Sequence, residues 1–154
     1  MIYKDTKENL MKQNLIKACP VDWKTINNLV KRTRADLKTA MRNLDDDPEC
    51  AYNYAYNAMM RSGLALMLSY GFRPEIKDKH LTIVKFTSSI LGEKFNRVVN
   101  DYDFMRRKRH HFIYEPDIPC SMREAESAIG TAKSFVAAIN DLIKKQNPQI
   151  DLDF

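Results

Sequence analysis

The breaks in this chain are few, and where they fall dictates what it can fold into. Only four glycines and six prolines occur among 154 residues. Proline interrupts a helix by removing an amide donor, and glycine by its conformational freedom. Most of them lie between apolar runs of helical period: Pro20, Pro48, Gly71 with Pro74, Gly92, Pro116 with Pro119, and Pro148. Long helices separated by short connections are the consequence.

Taken in order, Thr6 to Ala18 reads as a short amphipathic helix with a weak hold on the core, ended by Pro20. Asp22 can cap a second helix, in which Ile26, Leu29, Val30, Leu37, Met41 and Leu44 recur at helical spacing. Asp47 then caps a third, with Pro48 at its first position, where the missing donor costs nothing. This helix, Glu49 to Tyr70, carries Ala51, Ala55, Ala58, Ser62 and Ala65 on one broad face, so a neighbour can approach closely, and it reads as the central helix. Lys77 to Leu91 supplies a shorter helix closed by Gly92, and Lys94 opens the next. Ser121-Met122-Arg123-Glu124 is a capping box, followed by apolar positions from Ala125 to Leu142, and Asn147-Pro148 ends this last helix.

No strand alternation extends over a useful length. The expected fold is therefore all-α, an up-and-down bundle of four to five main helices. A chain of this size fits one domain over 1–154: a short leading helix at 6–18, the bundle at 22–146 and an acidic tail at 147–154. Cys19, Cys50 and Cys120 are odd in number, far apart and without CxxC spacing, so neither a disulfide framework nor a zinc site is indicated. No metal or other cofactor is expected. No apolar run is long enough to cross a bilayer and the first residues lack the apolar core of a signal peptide, which points to a cytoplasmic protein without a membrane partner. A net charge of +5 permits an acidic partner such as nucleic acid but does not require one.

The chemistry concentrates between Asp101 and Glu115, DYDFMRRKRHHFIYE. Four cations, Arg106, Arg107, Lys108 and Arg109, abut His110 and His111, a composition suited to holding a phosphodiester. Phe95, Val98, Val99, Tyr102 and Met105 form an apolar stripe. Extending it at about 100° per residue brings Arg106 and Arg109 onto the buried face and leaves Arg107 and Lys108 toward solvent. An unpaired guanidinium in the core is costly, so the stripe is expected to emerge into a cleft or intersubunit groove, or to meet an acidic partner. Helical spacing sets His110 near Arg106, while His111 is directed inward only if the last turn is irregular.

A helical bundle with a central helix of the form YNYAYNAMMRSGLALMLSYGFRP, followed by a helix bearing Arg, a short spacer and His, resembles the HEPN domain superfamily. The resemblance runs from about Asp47 to Lys145. It implies a metal-independent ribonuclease, often a toxin or defence factor, acting as a homodimer with both motifs on one cleft. Arg106 is then the phosphate clamp and His111 the base, with His110 as alternate because it leaves too few residues after Arg106 for the family pattern. The products implied are 2′,3′-cyclic phosphates. Arg107, Lys108, Arg109, Tyr114, Asn53 and Asn57 are the candidate RNA contacts. One branch pairs with a nucleotidyltransferase antitoxin that modifies a Tyr two residues after the His; here Ile113 holds that place and Tyr114 follows, a departure from the pattern.

Other readings stand beside this one. RRKRHH also suits a solvated helix end, or a nucleic-acid contact without catalysis. In the latter case the chain is a HEPN-like module binding a nucleotide, an RNA or a nucleotidyltransferase. His80 in KDKHL reads as a surface or satisfied structural histidine, and Tyr52, Tyr54 and Tyr56 as core and interface residues.

Overall fold

The structure is a computed structural model and describes residues 2–150; the side chains of Lys94, Val98 and Val99 and the end of the acidic tail, 151–154, lie outside the described residues. Six α-helices make up most of the described chain: α1 (Ile2–Lys12), α2 (Trp23–Asn43), α3 (Pro48–Ser69), α4 (Lys79–Leu91), α5 (Asn96–Tyr114) and α6 (Met122–Gln146). The fold is all-α. A two-stranded ribbon, β1 (Ile16–Ala18) and β2 (Phe72–Pro74), is its one small departure among the described residues.

The ribbon corrects the reading of the first helix. That helix starts and ends earlier than its apolar spacing suggested, because Asn14 takes a left-handed conformation at φ 56° well before Pro20. Asn tolerates this region better than most residues and so terminates the helix. The chain then pairs antiparallel, Ile16 with Pro74 and Ala18 with Phe72. Three-residue strands carry no alternation to read, and Pro74 is tolerated because a two-stranded ribbon has edges on both sides. The hold of this leading segment is also firmer than expected: Leu10 of α1, with Leu15 and Ile16 beyond its end, seals a second apolar cluster with Met67, Ile83 and Phe86.

The predicted caps are formed. Asp22 accepts from the amides of Lys24 and Thr25 at 3.0 and 3.4 Å, and Asp47 from that of Cys50 at 3.0 Å. Ser121 and Glu124 complete the capping box in both directions. Each such cap contributes about 1 kcal/mol.

α3 is the centre of the bundle, packed against α2 and α6 along most of its length and against α4 and α5 on its remaining sides. Ala51, Ala55, Ala58 and Ala65 are fully buried, as the small-residue face requires. Gly63 lets α4 come closest: a Cβ there would stand 2.6 Å from Ile83 Cγ2. On α5, Tyr102, Met105 and Phe112 are buried and fix which face turns inward. Tyr102 stacks between Tyr56 of α3 (5.2 Å) and Phe135 of α6 (5.9 Å), while Phe112 meets Tyr52 edge-on at 5.2 Å. These ring contacts, at about 0.5–1.5 kcal/mol each beyond area burial, lock the rotation of α5 about its axis.

The bundle also holds a buried charge that the sequence reading missed. Asp36 on α2 is 1% exposed and receives Arg61 of α3 at 2.5 Å, with Arg32 Nε 3.8 Å from its other carboxylate oxygen. Burial raises the Asp36 carboxyl pKa, and Arg61 only partly offsets this.

Candidate functional site

Gly92, at φ 81°, turns the chain after α4 so that α5 runs back against it, with a single 3₁₀ turn at Glu93–Phe95 between them. Between the start of α4 and the last turns of α5 lies an open cleft of about 750 Å³. Arg106, Arg107, Arg109, His110 and His111 line it from α5, and Lys79, His80 and Asp78 from the other wall. The basic stretch thus opens into a cleft, one of the outcomes that the extended stripe called for.

The two arginines of the stripe are used differently. Arg109 lies seven residues after Tyr102, on the buried face, and its Nε donates to Asn53 Oδ1 at 3.0 Å. Its guanidinium sits 4.3 Å from the centre of the Tyr56 ring. An amide acceptor and an aromatic face therefore take the place of the acidic partner, while the side chain also lines the cleft. Arg106 stands at the rim, 42% exposed, with Nη2 3.1 Å from Asp103. Arg107 shares that carboxylate at 3.5 Å.

α5 stays regular through Tyr114, so His111 is not drawn into the core; Phe112 takes the inward position and His111 sits at the rim, half exposed. Its Nδ1 lies 3.1 Å from Glu115 Oε2. A carboxylate can only accept, so the hydrogen of the neutral ring resides on Nδ1 and the lone pair on Nε2 is free. His110 packs on the Tyr114 ring at 4.5 Å, and Tyr114 itself is largely exposed.

Lys108, expected to face solvent, instead turns toward α6. Its ammonium is 3.1 Å from Glu124 Oε2 and 5.9 Å from the Phe112 ring, because the last turns of α5 lie beside the start of α6. Asn57 is half-buried and is not among the residues lining the cleft. Of the tyrosines, Tyr52 and Tyr56 are core residues, buried beyond reach of a stacked base.

His80, read from the sequence as a surface or satisfied structural histidine, makes a hydrogen bond to the core and also lines the cleft. Its Nδ1 is 2.7 Å from the hydroxyl of the fully buried Tyr56. Burial, then Arg109, Arg106 and Lys79, lower its pKa from the ordinary histidine value. Burial likewise raises the pKa of the Tyr56 phenol, which keeps its hydroxyl hydrogen at neutral pH. No local pattern marks His80, since it meets the basic stretch only through the packing of α4 on α5.

The cleft can therefore do two things chemically. It can neutralise an anion with several fixed cations, and it can accept a proton at a histidine whose tautomer is set. A thiol nucleophile has no part in it: Cys120 lies elsewhere, its pKa pushed up to about 11 by burial and by Glu124 and Glu49. Among the described residues no group of three or more His, Cys, Asp or Glu side chains is placed to hold a metal ion, and no helix is long and apolar enough to cross a membrane.

No curated protein and no solved structure matches the chain. The family model of the HEPN domain matches residues 26–142, from the first buried turn of α2 to the last turns of α6, and so includes the whole cleft wall formed by α5. With well over half of its length matched, the chain belongs to the HEPN domain family.

Proposed function

We propose that this HEPN domain is a metal-independent endoribonuclease, of the kind used as a toxin or defence factor, which cleaves RNA by attack of the 2′-hydroxyl on the adjacent phosphate. The observation that carries this reading is the meeting of Arg106 and His111 on one cationic cleft, with Nδ1 of His111 held by Glu115. His111 takes the 2′-hydroxyl proton on Nε2, and Arg106 stabilises the charge that builds on the phosphate oxygens. Arg106 exchanges its contact with Asp103 for the phosphate, an exchange made cheap by the exposure of both side chains. Arg107 and Arg109 hold the flanking backbone, and His110 stays the alternate base.

The partners that follow are RNA and a second copy of the chain. Ile76, Leu81 and Ile113 are exposed apolar residues along the cleft, and they suit a homodimer in which two clefts adjoin. Action in the cytoplasm and neutralisation by a nucleotidyltransferase-type antitoxin fit the same reading, although Ile113 stands where the modified Tyr of that branch would be.

A second reading, a non-catalytic HEPN-like module that binds RNA or nucleotide, is favoured by the ion pair that occupies Arg106. Incubating the purified protein with total RNA in EDTA, beside Arg106→Ala, His110→Ala and His111→Ala, separates the two. Cleavage lost in Arg106→Ala and His111→Ala, with RNA binding retained in His111→Ala, supports the ribonuclease. Binding without cleavage by the wild type supports the module.

A further inference from the structure

The 2′-hydroxyl attack assigned above explains where one proton goes and leaves another unassigned. When the bond from phosphorus to the 5′-oxygen breaks, the departing oxygen carries negative charge and requires a proton, which Arg106 cannot give because a guanidinium stays protonated. His111 has just accepted one and stands on the attacking side. A second acid lining the cleft can supply it at the moment the bond breaks.

We propose that His80 is this donor: its Nε2 protonates the 5′-oxygen of the leaving nucleotide, while Tyr56 holds the ring through Nδ1. The assignment rests on the ribonuclease reading and deepens it. The geometry gives His80 what the role requires. It lines the same cleft as Arg106 and His111 but comes from the opposite wall, on α4 rather than α5. Its Nδ1 is occupied at 2.7 Å by a hydroxyl on the rigid central helix, so Nε2 is the nitrogen left for substrate. The Tyr56 hydroxyl oxygen accepts from Nδ1–H, which the ring carries both as imidazolium and after Nε2 has given up its proton. That hydroxyl is fixed in turn by burial and by Arg109 over its ring.

Substrate supplies the proton affinity. In the free protein the charged groups facing His80 are Arg106 and Arg109 on α5, with Lys79 beside it and Asp78 at the start of its own helix; from α3 it meets the neutral Tyr56. The cations disfavour an imidazolium. A phosphodiester seated among them brings a negative charge that cancels this repulsion, so binding and proton uptake are coupled. The cycle then balances: the 2′-hydroxyl proton passes to His111 Nε2, the bond from the 2′-oxygen to phosphorus forms, the bond to the 5′-oxygen breaks, and the His80 proton ends on that oxygen. His80 is left neutral and His111 charged, and one exchange with water restores both.

Two measurements on the full chain test this. The first follows the His80 ring resonance by NMR during a pH titration, with and without a saturating 2′-O-methyl oligonucleotide, which binds but has no 2′-hydroxyl to attack. An upward move of the His80 midpoint is expected; an unmoved midpoint overturns the proposal. The second compares ordinary RNA with RNA carrying a 5′-bridging sulfur, a leaving group that needs no proton. His80→Ala is expected to lose about 10²- to 10⁴-fold on ordinary RNA and to approach the wild-type rate on the sulfur substrate. His111→Ala should stay slow on both. His80→Gln, which can still hydrogen-bond to the Tyr56 hydroxyl, must show the same selective rescue, and this guards against a folding defect. Equal impairment of the His80 variants on both substrates overturns the donor assignment alone, whereas a wild type inert on both overturns the ribonuclease reading and the donor role with it.

Discussion

The buried ion pair between Asp36 and Arg61 makes an asymmetric prediction. Replacing Arg61 by Met leaves a carboxylate at 1% exposure with only Arg32, 3.8 Å away and mostly solvated, to face it. Breaking a buried pair in this way costs about 3–5 kcal/mol, and the residual attraction of Arg32 places the cost near the lower end. For a chain of this length that is a fall in Tm of about 6–12 °C, taking roughly 2–4 °C per kcal/mol. Replacing Asp36 by Leu leaves Arg61, a third exposed, free to turn to water, and should cost only about 1–2 kcal/mol. The double variant should recover most of the loss. pH gives an independent check. Without Arg61 the folded-state pKa of Asp36 lies further above its unfolded value, so the stability it contributes is fully present below the unfolded pKa and is lost as pH rises through the folded one. The deficit of Arg61→Met should therefore narrow on acidification. Urea denaturation of the four proteins at two pH values measures all of this. An Arg61→Met cost smaller than that of Asp36→Leu, or a deficit that widens in acid, would show that Asp36 does not depend on Arg61 for its compensation.

Other outcomes follow from single contacts. Gly63→Ala forces a methyl group within 2.6 Å of Ile83 Cγ2 and 3.3 Å of Thr87 Cγ2, so thermal melting should show about 1–3 kcal/mol of destabilisation despite the better helix propensity. Ser121→Ala removes the reciprocal cap of α6 and should cost about 1 kcal/mol in the same assay. Asn53→Leu frees the Arg109 side chain from its amide acceptor and should weaken RNA binding several-fold with little change in melting temperature, as read by fluorescence anisotropy. A change confined to stability would deny Arg109 a place in the cleft.

What could be read from the chain and what could not divides along physical lines. The caps at Asp22, Asp47 and Ser121, and the helical periods behind them, are local, so sequence spacing reported them directly. The inward turn of Arg109 was also legible, because seven residues after Tyr102 is two helical turns on a stripe already marked as apolar. The ribbon was not, since three residues per strand leave no period. Asp36 follows Thr33 by three residues on the buried face of α2, a signal that could have exposed it, but its partner lies on another helix. His80 was read as a surface or satisfied structural histidine and its place in the cleft was missed for the same reason: Tyr56 and the arginines of α5 are all distant from it in sequence.

The most direct test of the ribonuclease reading is end-group analysis of a single defined oligonucleotide incubated with the protein in EDTA, once as RNA and once with a 2′-deoxy residue substituted at the mapped cleavage position. A 2′,3′-cyclic phosphate and a free 5′-hydroxyl are expected from the first, and an intact second strand. Cleavage of the deoxy-substituted strand at that position, or products bearing 5′-phosphates, would contradict attack by the 2′-hydroxyl and with it the roles given to Arg106 and His111.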